Sequence, residues 1–480
     1  MPATNGVNGH VNGTANGTKE PVQATSLLAS FVANASPKQL TPALREKVKE
    51  VVIDYVGVVV GALDNAESTE SIYRSVVALQ GKGNSGKCTV LGKGAPHMLP
   101  QYAGLLNSAF GHSMDFDDTY AEGSLHAGVT AISAAMTEAE VLGKDASSEL
   151  FMLAVAVSYE VTCRLGAAAG MAAYDRGFHN TSTAGIFGAV AAICVLRRLP
   201  AEKVEMAFGL AGSKAAGSMQ YLDNGSWNKR LHPGFAVHDA FMCVGMAEAG
   251  VIGATRIIEG KNGFLNAYSP KPDPDLYRLT DNLGSDWHWL ESSLKPYPAC
   301  RMTHGFIELC GNIHEANGGK VTADRVKAIT LTMSPFCNRL IGDPIPNKIH
   351  PENTIDGQFS AYFQVANALV YGSNTGLQAY QRLQDQDINS LCEKITVTTD
   401  SSMTGFAAKM KFEWANGKVE DLRQDYPLGE VQHPFTRDRV DEKFLGLAGP
   451  VYGKDKARKI IQTIDSIEGS SIGDLLVLLR

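Results

Sequence analysis

The feature that most constrains this chain is a series of helix-length apolar segments between residues 100 and 254. Segments 100 to 117, 127 to 143, 147 to 165, 183 to 197, 201 to 219 and 234 to 254 are rich in Ala, Leu, Met and Val, with only short Gly, Pro or Asp breaks between them. Such segments must bury their apolar faces against one another, so they predict a closely packed helical body. The helical pattern starts earlier, at about residue 39. Thr41 is placed to cap, Pro42 takes the first helical position, and Leu44, Val48, Val51, Val52, Tyr55 and Val56 mark one face.

After about residue 290 the texture changes. AITLTMS (328 to 334) and KITVTTD (394 to 400) alternate like half-buried strands, and KMKFEWANGKVEDLRQ (409 to 424) reads as a hairpin turning at Asn416-Gly417. Helical stretches are expected near 302 to 317 and 357 to 371, and the last fifty or so residues return to helix. The expected fold is mainly α with an α+β part. A chain of 480 residues exceeds what one core usually fills. It divides into an Asn-Gly-rich tail read as disordered (1–24), a helical domain (25–290), an α+β lid (291–426) and a C-terminal segment (427–480) that rejoins the helical domain. A cleft between body and lid is the expected place for a ligand.

Several function classes are excluded. A net charge of -7 with no basic stripe argues against nucleic acid. Eight scattered cysteines without a CxxC pair fit neither a disulfide scaffold nor a zinc ribbon and suit a reducing compartment. The longest apolar runs, such as GIFGAVAAICVL from residue 185, read as too short for a bilayer, and the N-terminus lacks an apolar signal core. No membrane partner is expected, and a cytoplasmic location is, with the mitochondrion left open. GNSGKCTVLGKG (83 to 94) misses the phosphate-loop spacing and no GxGxxG opens a strand-turn-helix unit, so no nucleotide cofactor is indicated.

Four segments carry polar groups that packing alone does not require. They are GHSMDFDDTYAEGSLHAG (111 to 128), DRGFHNTST (175 to 183), NGSWNKRLHPG (224 to 234) and KPYPACRMTHG (295 to 305). In each, a reactive residue lies at or just before a predicted helix start, where free N–H groups favour an anion: His126, His179, then Lys229, Arg230 and His232 ahead of Pro233, and Lys295, Cys300, Arg301 and His304. Thr181 or Ser182 is expected to cap the helix after His179. The last two segments are locally basic and suit carboxylates or phosphates. A single histidine at a helix start is more often a cap than a catalyst, and a buried free cysteine is commoner than a nucleophile, so the case rests on all four segments together. The DFDD cluster lacks the spacing of a calcium loop, and no metal is expected.

HSMDFDDT (112 to 119), His126, NKRLHPG (228 to 234) and KPYPACRMTH (295 to 304), in this order, resemble the MmgE/PrpD family from about residue 25 to the end. The resemblance implies a homodimer with a site between helical domain and lid, without metal or organic cofactor. In the decarboxylase branch of that family the matching pocket residues are Asp115, Thr119, His126, His179 and Lys229. Cys300 and Phe336 stand where that branch has a histidine and a tyrosine.

The expected activity is a cofactor-independent lyase on a small citrate-like polycarboxylate, most directly dehydration of 2-methylcitrate or a 2-alkylcitrate. Elimination needs a base, an acid and cations. His126 and His179 are the candidate base and acid, in either order. Lys229, Arg230 and Arg301 would hold carboxylates, with Thr119, His232, Cys300 and His304 also at the substrate. Asp115 would orient a histidine or bind a hydroxyl, and Asp117 and Asp118 would pair with nearby Lys or Arg. Decarboxylation, epimerisation and non-catalytic carboxylate binding are the alternatives. An iron–sulfur route is not favoured, since the scattered thiols form no ligand set.

Overall fold

The structure, a computed structural model, describes residues 22–81, 83, 86–270 and 276–480. The tail expected over 1–24 lies largely outside these residues, and Ala24 already opens the first helix, α1 (Ala24–Ala33). Helix α2 (Pro42–Asn65) begins where the sequence predicts, with Thr41 Oγ1 accepting the Leu44 N–H at 3.3 Å. From Val51 to Ala62 every residue of α2 is buried, so this helix runs through the core.

There follow α3 (Thr69–Gln80), a small antiparallel ribbon of β1 (Cys88–Val90) and β2 (Lys93–Met98), then α4 (Pro100–His112), α5 (Gly128–Leu142) and α6 (Ser148–Asp175). Gly170 breaks α6 with φ 56° and ψ -153°, a conformation that suits only glycine. The short α7 (Asn180–Thr183) leads into α8 (Gly185–Arg197), α9 (Ala201–Gly212) and α10 (Asn228–Glu248). Helices α4, α5 and α8 pack on α10.

Two expectations need correction. Helix α10 starts at Asn228, so Lys229, Arg230 and His232 lie on its first turns and Pro233 lies inside it, where its missing N–H leaves the Lys229 carbonyl without its usual donor. Second, α6 and the stretch Asn180–Arg197 are long and apolar enough to cross a membrane; 94% of each apolar window is instead buried inside the protein.

The α+β part comprises α11 (His304–Ala316), β3 (Val326–Met333), α12 (Ala361–Tyr371), β4 (Ile395–Thr399), β5 (Ala408–Trp414) and β6 (Val419–Gln424). The strands form one sheet in the order β4-β3-β5-β6, with β3 and β4 parallel and the other pairs antiparallel. The β5–β6 hairpin turns at Asn416-Gly417, where Gly417 has φ 89°. The chain then returns as α13 (Arg437–Tyr452), α14 (Lys454–Asp465) and α15 (Ile472–Leu478), with α13 packed on α2.

The fold is mainly α with an α+β part. Its buried apolar residues form two clusters. One gathers residues from 24 to 294 and from 440 to 479; the other gathers residues from 299 to 414 and also draws in Met219 and Tyr221 from the helical side.

Candidate active site

Between α4 and α5 the chain folds sharply. Asp115 holds φ 52°, a left-handed backbone costly for a residue with a side chain, so its surroundings must hold it there. The next residue, Phe116, is held by Lys443 of α13. The Lys443 ammonium donates to the Phe116 carbonyl at 2.7 Å, lies 3.9 Å from the ring centroid and pairs with Asp54 of α2 at 2.7 Å. All three groups are buried.

The three aspartates of this bend meet three different environments. Asp115 Oδ1 accepts from Lys229 at 2.5 Å and from Lys295 at 2.9 Å, and Lys295 also donates to the Asp115 backbone carbonyl at 2.9 Å. Burial pushes the Asp115 carboxyl up, but the two ammonium groups outweigh it and hold the acid well below the usual range. Asp117 Oδ2 lies 2.7 Å from His112 Nδ1 and 3.1 Å from His126 Nδ1. Burial raises its pKa too, and the two facing imidazoles bring it well below the usual value. Asp118 has no cation. Burial, with Asp117 and Asp54 beside it, pushes its carboxyl up to about 8, and Oδ1 accepts the Gly128 N–H at 3.1 Å. A Cβ at Gly128 would stand 2.3 Å from that oxygen, so only glycine allows the approach. The expectation that Asp117 and Asp118 pair with Lys or Arg is therefore corrected: one faces imidazoles and the other a backbone N–H.

Four imidazoles converge. His112 meets His126 edge-on at 4.6 Å between centroids and stacks on His179 at 5.5 Å, while His179 Nδ1 and His232 Nδ1 share a hydrogen bond of 3.1 Å. Burial lowers the pKa of every one, to about 4 for His112 and His232, so the cluster is neutral near pH 7. His126 Nε2 is 3.9 Å from Asp115 Oδ1. The carboxylate beside His126 Nδ1 favours the proton on that nitrogen and leaves the Nε2 lone pair on the side of the lysines. Thr181 Oγ1 accepts the His126 N–H at 3.1 Å and Ser182 Oγ donates to the His232 carbonyl at 3.0 Å, so neither acts as the helix cap expected of them.

Asp115, His126, His179, Lys229 and His232 thus share one buried cluster. Thr119 is fixed by paired backbone hydrogen bonds of 2.8 Å to Ser293, and its hydroxyl is buried without a hydrogen-bond partner among the described residues. Cys300 is a buried thiol whose pKa burial and Asp115 raise, within electrostatic reach of Lys295 and Lys229. The remaining residues are committed to the protein. Arg230 donates to Ser68 Oγ at 2.9 Å and to Glu67 at 3.3 Å. Arg301 donates to Glu430 at 2.6 Å and to His304 Nδ1 at 3.1 Å, which fixes the His304 proton on Nε2, 3.1 Å from the Ala299 carbonyl. Neither arginine offers the free fork expected for a substrate carboxylate.

His112 was not singled out, and Lys295 was named only as one of the basic residues of its segment, although both lie inside the quoted motifs. The ligand atoms of His112, Asp117 and His126 lie within 4.8 Å of one another. The 2.7 Å contact between His112 and Asp117 is shorter than the roughly 3.4 Å that two ligands of a tetrahedral zinc need, so this is a hydrogen-bonded His112–Asp117 pair with His126 in charge contact rather than a ready-made metal site. Beside the cluster, Tyr174 feels the charge of Asp115 and also lines a cleft of ≈ 400 Å³ with Met219, Leu222, Phe336 and Leu340.

A helical fold with an α+β part and buried Asp, Lys and His groups drawn from distant segments defines a class. The MmgE/PrpD N-terminal domain matches residues 26–277 and the MmgE/PrpD C-terminal domain residues 297–468, and the chain belongs to the MmgE/PrpD family. Its relatives include a cis-aconitate decarboxylase-like protein of Aspergillus oryzae, 25% identical, with 95% of this chain and 97% of that protein aligned. The cis-aconitate decarboxylase of Aspergillus terreus is 25% identical over 95% and 96%, and that of Mus musculus 23% identical over 95% and 92%.

Proposed function

We propose that the protein is a lyase that acts on a small citrate-like polycarboxylate without an organic cofactor or metal. The observation that carries this reading is the sharing of one Asp115 oxygen by Lys229 and Lys295, with His126 Nε2 3.9 Å away. Two ammonium groups face one carboxylate oxygen, while the nearby Asp117 carboxylate turns to the imidazoles, so a substrate carboxylate would find two charged donors beside Asp115.

In the dehydration reading, His126 Nε2 takes the proton from the carbon next to a substrate carboxylate. The electron pair of that C–H bond forms the double bond, the C–O bond of the β-hydroxyl breaks, and the oxygen leaves as water with a proton from His179. His179 receives that proton when the anionic substrate binds, because added negative charge favours the imidazolium. Dehydration of 2-methylcitrate or a 2-alkylcitrate is favoured by Cys300 and Phe336, which stand where the resemblance calls for a histidine and a tyrosine in decarboxylases. The names of the relatives favour a second reading, decarboxylation of a cis-aconitate-type acid.

One experiment separates them: incubation of the pure protein with citrate, 2-methylcitrate, cis-aconitate and an amino-dicarboxylate in heavy water, read by mass spectrometry. Loss of water from a citrate supports dehydration, and release of carbon dioxide from cis-aconitate supports the second reading. Deuterium uptake without mass loss points to epimerisation. A ligand that raises the melting temperature but is recovered unchanged overturns the lyase reading in favour of a binding protein. A homodimer is also proposed, supported by Phe235, Met242, Met246 and Ile252, which are exposed on and just beyond α10. A reducing location such as the cytoplasm accords with eight buried, free cysteines.

A further inference from the structure

The turn Met219–Asp223 lies between α9 and α10, outside every motif the sequence singles out. It is stitched beside His179: the Met219 N–H donates to the Gly177 carbonyl and the His179 N–H to the Gly217 carbonyl, both at 2.9 Å. Met219 and Tyr221 pack into the apolar cluster of the α+β part, so this turn of the helical side reaches across the seam. There Tyr221 is 2% exposed, with its ring centroid 6.3 Å from that of His179 and 5.9 Å from that of His232.

Its hydroxyl is fully buried and has no hydrogen-bond partner among the described residues. Burying a polar group in this way costs free energy, and phenylalanine would fill the same space without that cost. The ring therefore explains the packing, but nothing in the packing uses the oxygen. Among the described residues, Asp115 Oδ2 and His112 Nε2, which lie near Tyr221 and His179, are likewise buried without hydrogen-bond partners. Burial and the negative charge of Asp115 keep the phenol protonated, and hence a donor.

We propose that Tyr221 contacts the substrate directly, its phenol O–H donating a hydrogen bond to a carboxylate oxygen. This rests on the lyase reading and deepens it: the lysines at Asp115 hold one acidic group, Tyr221 beside the His179–His232 pair holds a second, and the substrate is at least a dicarboxylate.

The test is Tyr221→Phe in the full chain, which removes one oxygen that no protein group uses. Its melting temperature without ligand is expected to equal or exceed that of the wild type. Affinity for propane-1,2,3-tricarboxylate, by calorimetry, and kcat/KM on the acid that the wild type converts should each fall about tenfold or more, as for a lost hydrogen bond to a charged group. A lower melting temperature with unchanged affinity would make Tyr221 structural and overturn the inference, as would affinity and kcat/KM both within twofold of the wild type. A wild-type protein that neither binds nor converts any polycarboxylate would overturn the lyase reading and this one together.

Discussion

Two basic segments, residues 228 to 234 and 295 to 305, each carry one lysine, one arginine and one histidine and are distant in sequence. Each commits a lysine to Asp115 and turns its arginine to a carboxylate elsewhere: Lys229 with Arg230 on Glu67, and Lys295 with Arg301 on Glu430. They differ in what surrounds the second pair. The Glu67 side chain is 49% exposed and that of Glu430 only 11%. The histidines differ as well, since His232 shares a proton with His179 while His304 is locked between Arg301 and a backbone carbonyl. Local charge thus marks a segment as interesting, and the distant partner decides whether each cation serves the site or the fold.

The largest expected effect breaks the likeness of the lysines. Lys229→Met and Lys295→Met should each lower kcat/KM by ~10²–10³-fold, as for loss of one preorganised charge donor. If both act on the one Asp115 oxygen, the double variant falls well short of the product of the single effects in steady-state kinetics. Lys295→Met should also melt lower than Lys229→Met, because it alone strips a donor from the Asp115 backbone carbonyl.

The arginines sharpen the contrast next. Arg301→Ala leaves Glu430 buried and unpaired and should cost about 3–5 kcal/mol in denaturant unfolding. Arg230→Ala leaves Glu67 to water and should cost about 1 kcal/mol through that pair. Equal losses would show that the exposure of the partner does not matter.

Smaller effects appear with pH. His232 is buried neutral with its pKa lowered to about 4, and burial lowers that of His304 as well. The unfolded chain binds these protons more readily, so stability is full above the ordinary histidine value of about 6.5 and falls as pH drops toward 4. Thermal melting should show this slope, and His232→Asn should flatten it. Asp118 has the opposite sign. Its proton is retained on folding up to about pH 8, so its contribution is full below the ordinary carboxylate value of about 3.9 and is lost progressively as pH rises from there through 8. Asp118→Asn should gain on the wild type in melting temperature as pH rises from about 4 to 8, with the largest difference at pH 9.

Much of the architecture was legible because its signals are local. The cap at Thr41, the hairpin at Asn416-Gly417 and the apolar periodicity of the body involve neighbours in sequence. The start of α10 was not, since Pro233 is common at helix starts and only tertiary packing carries the helix five residues further back. At the site, the segments holding Asp115, His126, His179 and Lys229 stood out by their chemistry. The fates of Arg230 and Arg301 did not, because their carboxylates lie 163 and 129 residues away. Tyr221 carried no signal in the sequence, being one aromatic in an ordinary turn.

The grip of Lys443 on Phe116 has a consequence for biosynthesis. A nascent chain has made Asp54 and the whole Asp115–Asp118 bend more than three hundred residues before the ribosome delivers the ammonium that steadies both. Until then the bend lacks one of the groups that hold its strained backbone, although Lys229 and Lys295 already reach Asp115. The last helices of the chain act as a late rivet, and a product released short of residue 443 would carry every motif of the site without the group that joins Phe116 to Asp54.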